Sequence, residues 1–270
     1  MSKANQSPEQ KAIIKRINEL GTKNNEFGKP QFPYYVRRML LAFAKFIDSP
    51  HVYNNQLHDL NYCQSRVGGL QKRQRINCVK LMVVLMSKMD VENYQIGFAN
   101  KKEMSTITHN WMMKRFEQFW HEAISLKRYY HTTNLFKMAD FLTIDAVYIY
   151  DESLPVATND DGSINEDEAP RIYSKAAYKA ITPKFIRIFG LEADEGVRES
   201  KLKAIKKRVL NGLSNVWWVY EPFSDSYAWT KRQLAKLTKR DSVTGEDKKR
   251  YPQGKEIKPD IYGSNYLTEH

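Results

Sequence analysis

The sequence predicts a mainly α protein with a small β component, built as a winged helix-turn-helix core flanked by additional helices. Three observations carry this. The stretch Ser125-Leu-Lys-Arg-Tyr-Tyr-His-Thr-Thr-Asn-Leu-Phe-Lys-Met-Ala-Asp140 opens on a helix-starting Ser and sets basic and amide side chains on one face against apolar ones on the other. A β-branched and aromatic run over 141–150 follows at once, and a second strand-like run over 171–181 completes a hairpin wing. Upstream, a helix over 76–89 is apolar nearly all round (Val79, Leu81, Met82, Val83, Val84, Leu85, Met86), which places it in the middle of a core.

The remaining elements follow in order. Ser7-Pro8-Glu9-Gln10 puts Ser at an N-cap, Pro at the first helical position and Gln at N3, and Ile13, Ile14, Ile17 and Leu20 then recur at helical spacing. Residues 21–32 are polar with two Gly and one Pro, and read as a linker. Beyond Pro33, Val36, Met39, Leu40, Phe43, Phe46 and Ile47 form an apolar stripe that Ser49-Pro50 ends. A less regular helical stretch covers 51–65, and Val67-Gly-Gly-Leu70 breaks it ahead of the basic cluster Lys72-Arg73-Gln74-Arg75.

Residues 94–98 are strand-like, and a helical pattern over 100–120 carries Met104, Ile107, Trp111, Met112, Phe116, Phe119 and Trp120. Between the two wing strands, 151–169 holds seven carboxylates and no Lys or Arg, an acidic insert expected to be a mobile loop held away from phosphate. In the strand after it, Arg171, Tyr173, Lys175 and Lys179 fall on one side by period two, while Ile172, Ala176 and Tyr178 fall on the other. Thr182-Pro183 starts a brief apolar helix that Gly190 stops, and a basic helix over about 195–213 carries Lys201, Lys203, Lys206, Lys207 and Arg208. The aromatic run Val216-Trp-Trp-Val-Tyr220 is expected to be buried, and 241–270 to be disordered. The expected organisation is a leading helix and linker (1–32), a helical N-terminal region (33–70), the winged-helix domain (71–190), a basic helical region (191–240) and the tail.

Lys plus Arg outnumber Asp plus Glu by 43 to 31, a net charge of +12 and a pI near 9.4, so the summed field favours a polyanionic partner. No run approaches the roughly 18 apolar residues of a membrane span, and the first residues show no apolar signal region, so a cytoplasmic protein is expected. Cys63 and Cys78, too few for a disulfide framework, read as two reduced core cysteines. Phosphate loops, GxSxG, HExxH and CxxC are missing, and the six histidines form no His-x-His pair. No catalytic residue, metal or cofactor is expected.

If Ser125 caps the helix, Lys127, Arg128, His131 and Asn134 point outward over its first turns, while Tyr129, Thr132, Phe136 and Ala139 point inward. An Arg can bond guanine through O6 and N7, and an Asn adenine through N6 and N7. Lys127 and Lys137 suit phosphate. The expected DNA-binding set is therefore Ser125, Lys127, Arg128, Tyr130, His131, Asn134 and Lys137 on the helix, Arg171, Tyr173, Lys175 and Lys179 on the wing, and Lys72, Arg73 and Arg75 ahead of the core helix. An ordinary amphipathic helix with a solvated basic face would have the same pattern.

The order of these elements resembles the IncFII-type (RepA) family of plasmid replication initiators. Gly69-Leu-Gln-Lys-Arg-Gln-Arg-Ile76 ahead of the helix 77–89 is similar to that family's basic stretch before an apolar helix. Ser125-Leu126-Lys127-Arg128-Tyr129-Tyr130-His131, followed by Phe136 and Phe141-Leu142, is similar to its recognition segment, and Ile181-Thr-Pro-Lys-Phe185, Phe189-Gly190-Leu191 and 201–208 follow its later order. Thr133 stands where an apolar residue is expected. Asp140 stands where a Gly commonly closes the helix, and the acidic insert is long for the wing. The resemblance implies a cytoplasmic, non-enzymatic protein that binds double-stranded DNA at a plasmid origin and leads the host replicative helicase or its loader to it, with a homodimer possible and copy control as the biological setting. A winged-helix transcriptional repressor and, less well supported, a replication nickase or primase are the alternatives.

Overall fold

The computed structural model describes residues 6–53, 56–63, 69–101, 104–150 and 172–213, with the backbone alone for 146–150 and 172–175. The acidic insert, Arg171, the aromatic run at 216–220 and the tail lie outside the described residues. The chain divides into one unit of Met1–Thr143 with Lys179–Trp218 and a second of Ile144–Tyr178 with Val219–His270. Described residues of the second unit are the distal parts of two strands.

The first unit is mainly helical. Helix α1 (Pro8–Leu20) starts as its sequence predicts, with the Ser7 side chain accepting from the Gln10 N–H. Gln10 does not reach back to close a capping box. It is buried, and its amide instead donates to the Ala44 carbonyl at 2.9 Å, tying α1 to the end of α2 (Tyr34–Ala44). The whole predicted stripe of α2 and the following 3-10 turn (Lys45–Ile47) is buried, from Val36 to Ile47.

Residues 21–32, read as a linker, are held against the body at several points. The Asn25 amide donates to the carbonyls of Leu20, Thr22 and Lys29, Phe27 meets Phe119 edge-on at 5.6 Å, and Phe32 is buried. Side-chain bonds to local backbone hold an otherwise polar loop in one shape.

Among the described residues of the less regular stretch, a single turn, α3 (His58–Asn61), forms. Gly69, at φ +64°, leads out of it: a Cβ there would meet the Asn61 side chain at 2.7 Å, while the Asn61 oxygen accepts from the Leu70 N–H. Helix α4 (Lys72–Met86) begins four residues earlier than its apolar pattern, so the basic cluster is its first turn. Every residue from Leu81 to Met86 is buried, and α4 touches α1, α2, α5 (His109–Trp120) and α6 (Leu126–Met138), which explains why its sequence lacks a polar face.

Two short strands follow α4, β1 (Gln95–Ile96) and β2 (Phe98–Ala99), and the latter pairs antiparallel with β3 (Met104–Ser105). The segment 104–105 is thus strand where a helical pattern was expected; α5 starts only at His109, capped by the Thr108 hydroxyl. Gly97 is required between β1 and β2, since a Cβ would lie 2.6 Å from the Ser105 carbonyl oxygen.

Strands β4 (Leu142–Tyr150) and β5 (Ile172–Ile181) complete a three-stranded sheet ordered β1-β5-β4. Gln95 pairs with Ala180 and Ile96 with Lys179. The Thr182 N–H donates to Phe141 and the Thr143 hydroxyl to Ala180, so β4 rises as β5 falls. Helix α7 (Pro183–Arg187), capped by Thr182 as predicted, inserts Phe185 into the core, and α8 (Glu195–Leu210) packs along α2. Arg208, buried on α8, pairs with Asp90 at 3.1 Å and with Glu92 in the turn after α4.

A polar cluster joins α1, the 3-10 turn and α4. Asp48 accepts from the Ser7 N–H at 2.7 Å and the Ser7 hydroxyl at 2.8 Å, and lies 3.4 Å from the Lys72 ammonium, which also meets Glu9 at 3.0 Å. Burial disfavours the Asp48 charge, but the Ser7 bonds and Lys72 outweigh it and hold its carboxyl below the ordinary range. A carboxyl with a depressed folded-state pKa adds stability above its unfolded value of about 3.9, and loses it as the pH falls through the folded value. Asp48→Asn should therefore lower the melting temperature near neutral pH, with the gap to the wild type closing below about pH 4. A gap independent of pH in thermal melts would mean that the loss is one of shape and not of charge.

Candidate nucleic-acid interface

Helix α6 holds the residues singled out from the sequence. The Ser125 hydroxyl accepts from the Arg128 N–H, so the helix starts where predicted. Tyr129, Thr132, Thr133, Leu135, Phe136 and Ala139 are buried, and α6 packs on α4. Lys127, Arg128 and His131 are exposed, and Tyr130, Asn134 and Lys137 are half-exposed. The inward and outward sets match the expectation, with Thr133 and Leu135 added to the inward one. Thr133 is the polar one. Its hydroxyl is satisfied within the helix by donating to the Tyr130 carbonyl at 3.0 Å, which lets a polar residue occupy an apolar position.

The end of α6 is equally defined. Asp140 sits at φ +57° and the Phe141 N–H donates to the Phe136 carbonyl, the left-handed closure usually made by Gly. Asp tolerates that conformation better than most residues.

The first turns of α6 and α4 carry no acidic residue; α6 has Lys127 and Arg128 there, and α4 has Lys72, Arg73 and Arg75. Cations at the positive end of a helix dipole weaken the helix.

The α4 contribution is narrower than the sequence implied. Arg73 is exposed. Lys72 is paired with Glu9 and Asp48, and the half-buried Arg75 gives its guanidinium N–H groups to the carbonyls of Ile47 and Leu70. In the unbound structure both use donors to fasten α4 to the α1–α2 layer. Lys179 is engaged in the same way. It is 5% exposed, and its ammonium donates to the Ile107 carbonyl at 2.8 Å. Tyr178 beside it is buried as well, so both faces of β5 are covered there and the period-two pattern does not mark an open basic face. Tyr173 and Lys175 lie in β5 with the backbone alone described, and Arg171 lies outside the described residues.

Two side chains that the sequence did not single out join the α6 face. Gln74, in the first turn of α4, accepts from the Gln71 N–H through its amide oxygen at 3.0 Å, which leaves its amide nitrogen 3.1 Å from the His131 Nε2. That orientation places the Gln74 amide nitrogen as a donor toward the His131 Nε2. His109, the first residue of α5, sets its ring 5.4 Å from that of Tyr130. The Gln71-x-x-Gln74 spacing before an apolar run is a capping-box signal that could have located Gln74; His109 gives no sequence signal.

Cys63 is half-buried and Cys78 buried, neither is bridged, and burial pushes the Cys63 thiol up to about 11. Among the described residues, no three His, Cys, Asp or Glu gather as a metal site, and no helix is long and apolar enough to cross a membrane. No protein-family model, curated protein or solved structure matches the chain.

Proposed function

We infer that the chain is a sequence-specific double-stranded DNA-binding protein with a winged helix-turn-helix core, in which α6 enters the major groove and α5 crosses above it. The observation that carries this reading is the division of α6 into a fully packed face and an open face bearing Lys127, Arg128, His131 and Asn134. The order α4, β1, the β2–β3 hairpin, α5, α6, β4, β5 and the sheet order β1-β5-β4 support it, since a winged helix closes its third strand between the first and second. In this reading Arg128 and Asn134 read base edges, while Lys127, Lys137 and Arg73 meet phosphate.

The biological role we propose is plasmid replication initiation: a cytoplasmic, non-enzymatic protein that binds an origin and leads the host replicative helicase or its loader to it. The resemblance of the motif order and the net charge of +12 support this role. The test is whether the chain, supplied in trans, maintains a plasmid carrying DNA from around its own coding region, with Arg128→Ala as the paired control. Maintenance abolished by Arg128→Ala is the expected result. No maintenance by the intact chain, together with tight binding to its own promoter, would make it a transcriptional repressor instead.

A further inference from the structure

Away from α6, cations and aromatic rings alternate on the surface made by the packed loop 21–32, the end of α4, β2 and α5. The Lys88 ammonium lies 4.9 Å from the Phe98 ring centre and 5.5 Å from that of Trp111, and the two rings meet edge to face at 5.2 Å. The Arg115 guanidinium lies 5.9 Å from the Trp111 ring, 4.6 Å from Phe27 and 4.5 Å from Phe119. Phe98 is 37% exposed and Trp111 half-exposed.

Core packing does not account for this arrangement. A Phe at the tip of a two-residue strand, left more than one-third open, is placed where it stabilises little. The charges are also crowded. Burial first, then the neighbouring charges of Arg115 and Lys29, pull the Lys88 ammonium below its ordinary value, and the Arg115 Nε is buried without a partner. Glu26 is the carboxylate acting on Arg115, and it is already engaged with Arg16 and near His121. Like charges held together beside partly exposed rings, each ring already stacked with a cation, match a ligand that supplies both anions and flat rings.

We propose that Phe98, Trp111, Lys88 and Arg115, with Lys29 beside them, form a second nucleic-acid contact that takes single-stranded DNA. Unstacked bases rest against the Phe98–Trp111 pair, and the phosphates between them lie against Lys29 and Lys88, while Arg115, whose terminal nitrogens donate to the side-chain oxygens of Gln118 and Gln31, backs the Trp111 ring. A duplex keeps its bases stacked inside and cannot offer them to Phe98, so the surface discriminates by strandedness and not by sequence. None of these residues lies on α6, so the two contacts are separable by mutation.

The test measures fluorescence anisotropy of a labelled oligothymidine of about 20 nucleotides, with the full chain and its variants at about 50 mM salt. Wild type should bind, Phe98→Ala should lose about tenfold or more in affinity, Phe98→Trp should retain it, and Lys88→Gln should flatten the salt dependence. All should bind duplex DNA as the wild type does and melt within a few degrees of it, because Phe98 is more than one-third exposed, Lys88 is half-buried, and Gln keeps most of the packing of the Lys88 stem. Oligothymidine binding that Phe98→Ala leaves unchanged would overturn the proposal, as would no binding by the wild type. So would a Phe98→Ala loss equal for duplex and single strand, which would make the surface part of the duplex contact. Failure of the α6 reading would show separately, as duplex binding that Arg128→Ala does not alter.

Discussion

Phe185→Ala should destabilise the first unit by about 3–5 kcal/mol, the largest effect expected of any single substitution in it. Phe185 is the only large side chain that α7 buries, and its relative exposure is 0%. Its ring meets Phe43 of α2 at 5.3 Å and 85°, Phe189 at 5.2 Å and 82°, and Phe141 at the start of β4 at 5.3 Å and 60°. Edge-to-face contacts of this kind add to the area buried, and truncation removes all three together. The surrounding rings cannot close the space, since Phe43 is also stacked on Phe46 at 5.8 Å and held by α2. Urea denaturation followed by far-ultraviolet circular dichroism measures the loss. A change below about 1 kcal/mol would mean that the cluster collapses around the gap or that α7 is not docked as described.

The same cluster shows which parts of the fold the sequence discloses. Thr182-Pro183 and Ser7-Pro8 locate the starts of α7 and α1 because an N-cap is a local device, set by side chains within three residues. The stripe of α2 and the two faces of α6 are legible for a related reason: helical periodicity records which side is packed. Asp140 was legible too, as a residue able to take the left-handed turn that ends α6.

What stayed hidden depends on partners distant in sequence. Lys72 reads as part of a basic surface until Glu9 and Asp48 arrive beside it, and Arg75 until the Ile47 carbonyl does. Lys179 illustrates the limit of period two. Alternation predicts one open face only where the other face alone is covered, and at Tyr178–Lys179 both are. Strands of two residues, such as β3, are too short to impose any period. In residues 21–32, a polar composition hid the half-buried Phe27, which meets Phe119 of α5, and the buried Phe32.

Arg128→Ala should weaken binding to a duplex recovered by selection from a random pool by about 5–150-fold, the equivalent of the roughly 1–3 kcal/mol carried by a bidentate contact to guanine. Binding to unrelated duplex should fall far less, because an isolated phosphate contact is only one of several. Lys127→Ala, one residue earlier, should weaken both duplexes alike and reduce the salt slope by about one. The two exposed side chains differ in what each can form: a planar fork matches two acceptors on one base edge, whereas an ammonium is a point charge. Stability separates this outcome from a folding defect. Ala is the better helix former, and removing a cation from the first turn of α6 relieves its repulsion with the helix dipole, so Arg128→Ala should melt at or slightly above the wild-type temperature. A loss of affinity in a protein that is no less stable assigns Arg128 to base reading. Equal losses on selected and unrelated duplexes would place it on the phosphate backbone, and the reading helix would then have to be sought elsewhere.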